Sequence, residues 1–161
     1  MQTSYVIIGI GKSGTAAKNL LLAGGTPSSH ILTFDEKNPT ADMNQWDQLN
    51  ELPLGTLVIS PGVPLSSTHI MALKNKGWKI TSEINLACAY ITDEILIGIT
   101  GSVGKSTVTS LLGEALRADD PHAFVGGNLG IPFAEYGLQL LTQKKKAKYI
   151  VIELSSYQLE N

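Results

Sequence analysis

A glycine-rich segment with one lysine and several hydroxyl residues, Gly101-Ser102-Val103-Gly104-Lys105-Ser106-Thr107, has the composition of a loop that holds phosphate. Glycines let backbone N–H groups turn inward around phosphate oxygens, and a lysine at this place can reach the β- and γ-phosphates of a nucleotide. The hydroxyl of Ser106 would be a ligand for Mg²⁺. The strict pattern has glycine where this chain has Ile99. We therefore predict a compressed phosphate-binding loop.

A carboxylate is expected beside this loop. Glu153 ends an apolar run, residues 149–153, that has the composition of a parallel strand. Side chains at the carboxyl ends of parallel strands lie at the crevice where open α/β sheets bind ligands. Glu153 would then bind Mg²⁺ directly or through water. The alternative is that Glu153 is an acid at the start of a helix near Ser155.

A second glycine pattern lies near the amino terminus. Gly9-Ile10-Gly11-Lys12-Ser13-Gly14 fits G-x-G-x-x-G between a predicted strand and a predicted helix, and Asp35 follows about twenty residues later. This pattern predicts a phosphate at the helix amino terminus and a ribose hydroxyl or other donor on Asp35. Ser60-Pro61-Gly62, after a further predicted strand, either closes over the ligand or forms a rigid turn. The pattern does not identify the nucleotide.

Short apolar runs alternate with helical patterns along the whole chain. We predict strands at residues 5–10, 31–34, 56–60, 78–80, 95–100, 122–125 and 149–153, and helices at residues 15–23, 69–75, 106–118 and 132–141. Such alternation is typical of parallel sheets built from right-handed βαβ units. The predicted fold class is α/β, with a Rossmann-like parallel-sheet domain at residues 1–92 and an incomplete P-loop-type α/β domain at residues 93–161.

Composition narrows the classes of partner. Of the 161 residues, 43% are hydrophobic and only 16% are charged, below the roughly 25% typical of soluble domains. The formal net charge of −2 shows no excess of positive charge of the kind that binds nucleic acid or an anionic membrane. The sequence contains no apolar run of the roughly 18 residues that a membrane span needs. We therefore expect a cytoplasmic protein that binds small nucleotides.

Two further patterns carry weaker signals. The three histidines, His30, His69 and His122, share no metal-ligand spacing, and we interpret them as surface or helix-flanking residues. Ser155 and Gln158 have the spacing of a capping box, which predicts a helix start shortly before residue 161. From this interrupted helix and a second sheet of three strands, we expect the chain to be part of a longer protein.

Together, these motifs resemble the Mur ligase family of ATP-dependent amino-acid ligases. The phosphate loop, then Gly126-Gly127-Asn128-Leu129-Gly130, then Val151-Ile152-Glu153-Leu154-Ser155-Ser156-Tyr157-Gln158-Leu159-Glu160, is similar in order and spacing to the D-glutamate-adding branch. Residues 153–160 are the most specific part of the resemblance. Val103 departs from it, because the family usually has asparagine at this place.

The resemblance implies a monomeric, cytoplasmic enzyme of peptidoglycan precursor synthesis. Its cofactors would be ATP and Mg²⁺, and its substrates would be UDP-N-acetylmuramoyl-L-alanine and D-glutamate. The uridine diphosphate would bind at Lys12, Ser13, Asp35, Glu36, Lys37, Ser60, Pro61 and Gly62, with Asn128 at the pyrophosphate. ATP would bind at residues 101–107, with Ser106 and Glu153 on Mg²⁺ and with Lys105 and Glu153 as catalytic residues.

The residues alone leave two other functions open. A nicotinamide-dependent oxidoreductase would use Gly9 to Gly14 and Asp35, but it leaves Lys105 and Glu153 without a role. A nucleotide-binding module without catalytic activity is the other alternative. Under the ligase hypothesis the 161 residues are expected to be inactive on their own, because the family's amino-acid pocket lies outside them.

Overall fold

The computed structural model describes residues 4–128, 130–143, 145–155 and 158. It contains two parallel β-sheets with helices packed against them, so the predicted α/β class is confirmed. The first sheet has four strands, β1 (Tyr5–Ile8), β2 (Ile31–Phe34), β3 (Thr56–Ile59) and β4 (Lys79–Ser82). The second has three, β5 (Ile95–Ile99), β6 (Phe124–Gly127) and β7 (Tyr149–Glu153).

The first sheet has the strand order β2-β1-β3-β4, and all of its pairs are parallel. Its central strands are apolar on both faces: Val6, Ile7 and Ile8 of β1 are each at most 1% exposed. Two-sided burial is what parallel sheets require, because crossover helices cover both faces. The register aligns Ile8 with both Phe34 and Ile59, so the carboxyl ends of β1, β2 and β3 meet at one edge.

Four helices belong to the first sheet: α1 (Lys12–Ala23), α2 (Trp46–Asn50), α3 (Thr68–Asn75) and α4 (Glu83–Cys88). The sequence predicted α1 and α3 but missed α2 and α4, which are only five and six residues long. Helices this short show too few turns for an apolar period to stand out. Helix α1 also starts three residues earlier than predicted, inside the glycine pattern, with Gly11 as its N-cap.

The second sheet has the order β5-β7-β6, again with parallel pairs only. Helix α5 (Lys105–Arg117) connects β5 to β6, and α6 (Phe133–Gln143) connects β6 to β7. The strand predicted at residues 122–125 lies two residues further along the chain in the structure, where β6 runs from Phe124 to Gly127. The reason is that Gly126 and Gly127 pair with Ile152 and Glu153 of β7, which a composition rule that treats glycine as a strand breaker does not foresee.

The two sheets share one hydrophobic cluster. Helix α6 of the second unit packs against α1 and α4 of the first. Leu20, Ala87, Phe133 and Tyr136 of this cluster are at most 1% exposed. Packing is close enough that a Cβ on Gly137 would lie 3.0 Å from Cδ1 of Leu20. The proposed boundary between residues 92 and 93 separates the sheets, but the core continues across it.

The connection between the sheets is also fixed by polar groups. The phenol of Tyr136 donates a hydrogen bond to Oε1 of Glu94 (3.0 Å) and accepts one from the backbone N–H of Ala147 (2.9 Å). Lys146 forms ion pairs with Asp93 and Glu94. These contacts hold the start of β5 against the approach to β7. Of the helices in the described ranges, none has the length and apolar character needed to cross a membrane.

Candidate functional site

Of the predicted phosphate-binding residues 101–107, the structure places 101–104 in the loop after β5 and 105–107 in the first turn of α5. Gly101 has φ +148° and Gly104 has φ +79°, conformations that L side chains rarely adopt. Gly104 is the N-cap of α5, so the unpaired N–H groups of the first helical turn lie at the end of the loop. Val103 is 93% exposed, which leaves its position free of side-chain packing. The loop can therefore present backbone donors to an anion.

Lys105 is the first residue of α5, and its Nζ donates a hydrogen bond of 2.8 Å to the carbonyl oxygen of Gly101. The ammonium group thus lies across the mouth of its own loop. A phosphate oxygen would be a stronger acceptor than this neutral carbonyl, because its negative charge attracts the ammonium group. Ser102 and Thr107, the remaining predicted hydroxyls, are exposed beside it.

Glu153 ends β7 and is only 3% exposed. Its Oε2 accepts a hydrogen bond of 2.7 Å from Oγ of Ser106, and its Oε1 accepts one of 3.2 Å from Nδ2 of Asn128. Parallel pairing aligns Glu153 with Ile99, the last residue before the phosphate loop. The carboxylate therefore lies between the phosphate loop and the turn after β6. The helix predicted to start near Ser155, on which the alternative interpretation depends, lies largely outside the described residues.

Gly127 makes this approach possible. It has φ +98°, and a Cβ at this position would lie 2.5 Å from the carbonyl oxygen of Glu153. That same carbonyl accepts a hydrogen bond of 2.9 Å from the backbone N–H of Asn128. Two separate bonds, one from the backbone and one from the side chain, hold Asn128 against Glu153.

The donor set fits Mg²⁺. The described side-chain contacts of this buried carboxylate are a hydroxyl and an amide, neither of which carries a positive charge. A bound cation would compensate the negative charge, whose burial is otherwise costly. No group of three or more His, Cys, Asp or Glu side chains that could hold a metal occurs among the described residues. Mg²⁺ is commonly bound by one or two carboxylates together with phosphates and waters, so a full protein cage is not required.

A cavity of about 570 Å³ lies at the carboxyl edge of the first sheet. All nine residues predicted to bind the uridine nucleotide line it: Lys12, Ser13, Asp35, Glu36, Lys37, Ser60, Pro61, Gly62 and Asn128. Its size falls within the range of small-molecule sites. Asn128 comes from the second unit and also contacts Glu153, so it connects this cavity to the phosphate loop.

Close backbone packing shapes the floor of this cavity. Oγ of Ser60 donates a hydrogen bond of 2.7 Å to the carbonyl oxygen of Gly9, joining the first and third strands beyond their ends. A Cβ on Gly14 would lie 2.0 Å from that carbonyl oxygen. Gly14 therefore has to be glycine for α1 to approach the turn, and the amino end of α1 opens toward the cavity.

Asp35 has a structural role in this cavity. Its Oδ2 accepts a hydrogen bond of 3.1 Å from the backbone N–H of Ile10, and its Oδ1 accepts one of 3.0 Å from the N–H of Lys37. These bonds, led by the one from Ile10, lower the pKa of Asp35 below its ordinary value. The carboxylate holds the glycine turn in place, so any ligand donor would share an acceptor that is already in use.

Two aromatic residues in the wall of the cavity were missed by the sequence analysis. The rings of Trp46 and His69 are stacked, with centroids 4.8 Å apart and planes at 8°. Trp46 also packs on Phe34, at 4.3 Å between ring centroids. His69 is exposed, as predicted, but it lines the pocket. Its place near the start of the helix that follows Ser60-Pro61-Gly62 was the signal that could have located it.

Comparison with known proteins adds independent information. Residues 99–161 match the model of the Mur ligase middle domain. The chain is 34% identical over 171 residues to a UDP-N-acetylmuramoylalanine–D-glutamate ligase of Caldicellulosiruptor saccharolyticus, and 36% identical over 167 residues to one of Nitrosococcus oceani. Each alignment covers 96% of this chain but only 36% and 35% of the respective relative.

A solved structure shares the fold. It is the UDP-N-acetylmuramate:L-alanyl-gamma-D-glutamyl-meso-diaminopimelate ligase from Neisseria meningitides, with a TM-score of 0.51 and 17% identity. The match covers 94% of this chain and 52% of that structure. At this level of identity the likeness concerns the fold alone. The chain spans about a third of the length of its curated relatives.

Proposed function

Because the chain belongs to the Mur ligase family, as the sequence resemblance predicted, we propose that it forms the nucleotide-binding part of an ATP-dependent peptidoglycan precursor ligase. The proposed reaction joins D-glutamate to UDP-N-acetylmuramoyl-L-alanine, the reaction named by the relatives' descriptions. The cytoplasmic location and the monomeric state expected from the sequence belong to the same proposal.

One observation carries this proposal. The carboxylate of Glu153 contacts Ser106 of the phosphate loop through one oxygen and Asn128 of the large cavity through the other. The two proposed nucleotide sites thus adjoin at a single acidic group. A ligase that passes a phosphoryl group from one bound molecule to another needs such adjacency, because positioning supplies much of the reduction of the barrier. An oxidoreductase that uses only the first glycine pattern needs no second site.

In the proposed chemistry a carboxylate oxygen of the first substrate attacks the γ-phosphorus of ATP, and ADP leaves. The amine of D-glutamate then attacks the acyl phosphate carbon, phosphate leaves, and an amide forms. Mg²⁺, when bound, would neutralise charge that develops on the transferred phosphoryl group. Ser106 and Glu153 would hold the ion, and Lys105 would exchange the Gly101 carbonyl for phosphate oxygens. Backbone N–H groups at the start of α5 would bind the remaining phosphate charge.

The large cavity would hold the uridine diphosphate. Its glycine turn and the amino end of α1 offer backbone donors to a phosphate, while Lys12 and Lys37 supply positive charge. The exposed ring of His69, stacked on Trp46, gives the wall a flat aromatic surface of the kind that a base can cover. Asn128 would contact the pyrophosphate from the side of the second unit.

Separate calorimetric titrations with UDP, NAD and MgATP test this assignment. We expect UDP to bind more tightly than NAD, and MgATP to bind at a second site that is lost in Lys105→Ala while UDP binding persists. The exposed residue Lys79 provides a matched control, Lys79→Ala, that should change neither. Tighter binding of NAD would favour the oxidoreductase, and an unchanged MgATP affinity in Lys105→Ala would remove the phosphate-loop assignment.

A further inference from the structure

Glu83 is a buried acid that the proposed chemistry does not use. It is the first residue of α4, directly after the first sheet, and it is only 3% exposed. Its Oε1 accepts a hydrogen bond of 2.5 Å from the backbone N–H of Ala134, at the amino end of α6 in the second unit. The two residues are 51 positions apart. A carboxylate at a helix amino terminus satisfies N–H groups that have no partner within the helix.

The bonded end of α6 adjoins the turn that carries Asn128. The backbone N–H of Gly127 donates a hydrogen bond of 2.8 Å to the carbonyl oxygen of Ile131, which closes this turn just before Pro132 and α6. Asn128 lies within the closed turn and contacts both the large cavity and Glu153. A shift of the start of α6 would therefore move Asn128.

The other side of Glu83 faces the first unit. A small cavity of about 20 Å³, large enough for one water, is lined by Glu83 together with Ser60, Pro61 and Ser82. Ser60 and Pro61 also line the large cavity. Glu83 thus lies between the loop that closes one side of the nucleotide pocket and the helix that positions Asn128 on the other side.

From this placement we propose that Glu83 is a positioning residue, whose buried carboxyl group locks the amino end of α6 to the first unit and so sets Asn128 in the nucleotide pocket. The inference rests on the proposed nucleotide pocket for its effect on binding. Its geometric part, the coupling of Glu83 to Asn128, is independent of any ligand and can be measured without one.

The coupling between Glu83 and Asn128 can be tested by changing the protonation state of Glu83. Burial raises the pKa of Glu83 to about 7, against an opposing effect of the N–H groups of Ala134 and Phe133 and with a smaller contribution from the nearby charge of Glu135. Cys88, on α4 itself, is its other titratable neighbour. Around the small cavity the described lining residues other than Glu83 are uncharged. A proton change near neutral pH should then alter the bond to Ala134.

Nuclear magnetic resonance of the 161-residue chain is the first arm of the test. We expect the backbone N–H of Ala134 and the side-chain amide of Asn128 to shift together with a common midpoint near pH 7, and we expect both shifts to vanish in Glu83→Gln. Glu51→Gln, at an exposed site, should leave both in place. Movement of Ala134 without Asn128 would reduce Glu83 to a local helix cap and overturn the proposal.

Binding is the second arm. Glu83→Ala and Asn128→Ala should each weaken UDP by about threefold to tenfold, the loss of one hydrogen bond, and the double variant should be no weaker than Asn128→Ala alone. Glu83→Gln keeps an acceptor oxygen and should bind UDP nearly as the parent does. Additive losses would overturn the positioning role. Failure of the parent to bind UDP would instead reject the proposed function, and the resonance arm would still decide the coupling.

Discussion

Oγ of Ser106, at the start of α5, donates a hydrogen bond of 2.7 Å to Oε2 of Glu153, at the end of β7. The bond joins positions 47 residues apart and places a hydroxyl and a carboxylate oxygen at the mouth of the phosphate loop. Both are the hard oxygen ligands that Mg²⁺ prefers.

Glu153→Gln should lower the affinity for MgATP at least about tenfold, or about 1.4 kcal/mol, because the amide keeps the shape of the carboxylate but loses its charge. Stability without metal should not fall, since the substitution removes a buried charge. Calorimetry with MgATP and thermal unfolding without Mg²⁺ measure the two effects. Glu114→Gln, with a 77% exposed side chain on α5, is the matched control. Full MgATP affinity in Glu153→Gln would exclude Glu153 as a ligand of the metal.

Asp35→Ala should weaken UDP by about 1 to 3 kcal/mol, because it frees the N–H groups of Ile10 and Lys37 that now hold the glycine turn. Asp35→Asn retains one acceptor oxygen, so we expect an intermediate loss. Titration calorimetry at constant salt measures both. Equal affinity in all three proteins would show that the turn keeps its shape without this side chain.

Gly14→Ala should lower the free energy of unfolding by about 2 kcal/mol or more, since the added Cβ would meet the carbonyl oxygen of Gly9 at 2.0 Å. Gly11, three residues earlier, has φ −68° and no neighbour within 4 Å of an added Cβ. Gly11→Ala is therefore the control and should change stability little. Urea unfolding of both variants compares them, and similar stabilities would contradict the close packing of α1 on the turn.

The stability of the chain should fall as pH rises from about 4.5 to about 7. Burial raises the pKa of Glu83 from 4.5 to about 7, so within this window the folded state binds more protons than the unfolded state. The contribution is fully present below pH 4.5 and lost above pH 7, and it is on the order of 3 kcal/mol. Unfolding free energies of the parent and Glu83→Gln across this range measure it. Parallel curves for the two proteins would count against the raised pKa.

The 161 residues alone should yield no ligase product when ATP, Mg²⁺, UDP-N-acetylmuramoyl-L-alanine and D-glutamate are all supplied. The chain spans about a third of the relatives' length, and we expect the group that places the attacking amine to lie in the remainder. Phosphate release should stay at the background without enzyme, while a full-length relative in the same assay serves as positive control. Incorporation of glutamate by this chain would refute the expected inactivity.

The motifs that the sequence could predict are those whose geometry is local. Gly101 to Gly104 form a loop between adjacent elements. Strands of a parallel sheet end at one edge, so the approach of Glu153 to this loop followed from topology. The same logic brought Lys12, Asp35 and Ser60 to one cavity. These predictions need only the order of the elements and the direction of the strands.

The parts that could not be predicted depend on packing between distant segments. Trp46 reaches the pocket because it packs on Phe34, and α2, which carries it, is too short for its period to be read. Glu83 looks like an ordinary acid in the first turn of a helix until α6 is placed against it. Burial of a charged side chain is a tertiary property, because it is set by contacts that no spacing rule contains.

The shared cluster of α1, α4 and α6 bears on substrate length. Helices in a close-packed interior cannot move past each other without loss of packing energy. The contacts among Leu20, Phe133 and Tyr136 should therefore keep the glycine turn before α1 at a constant distance from Asn128 and Glu153. A molecule that binds at both sites must then match this fixed distance. Analogues lengthened or shortened between the diphosphate and the reacting carboxylate should still bind in the large cavity, but their carboxylate should not reach the phosphate loop. The packing of three helices would in this way select substrates by length.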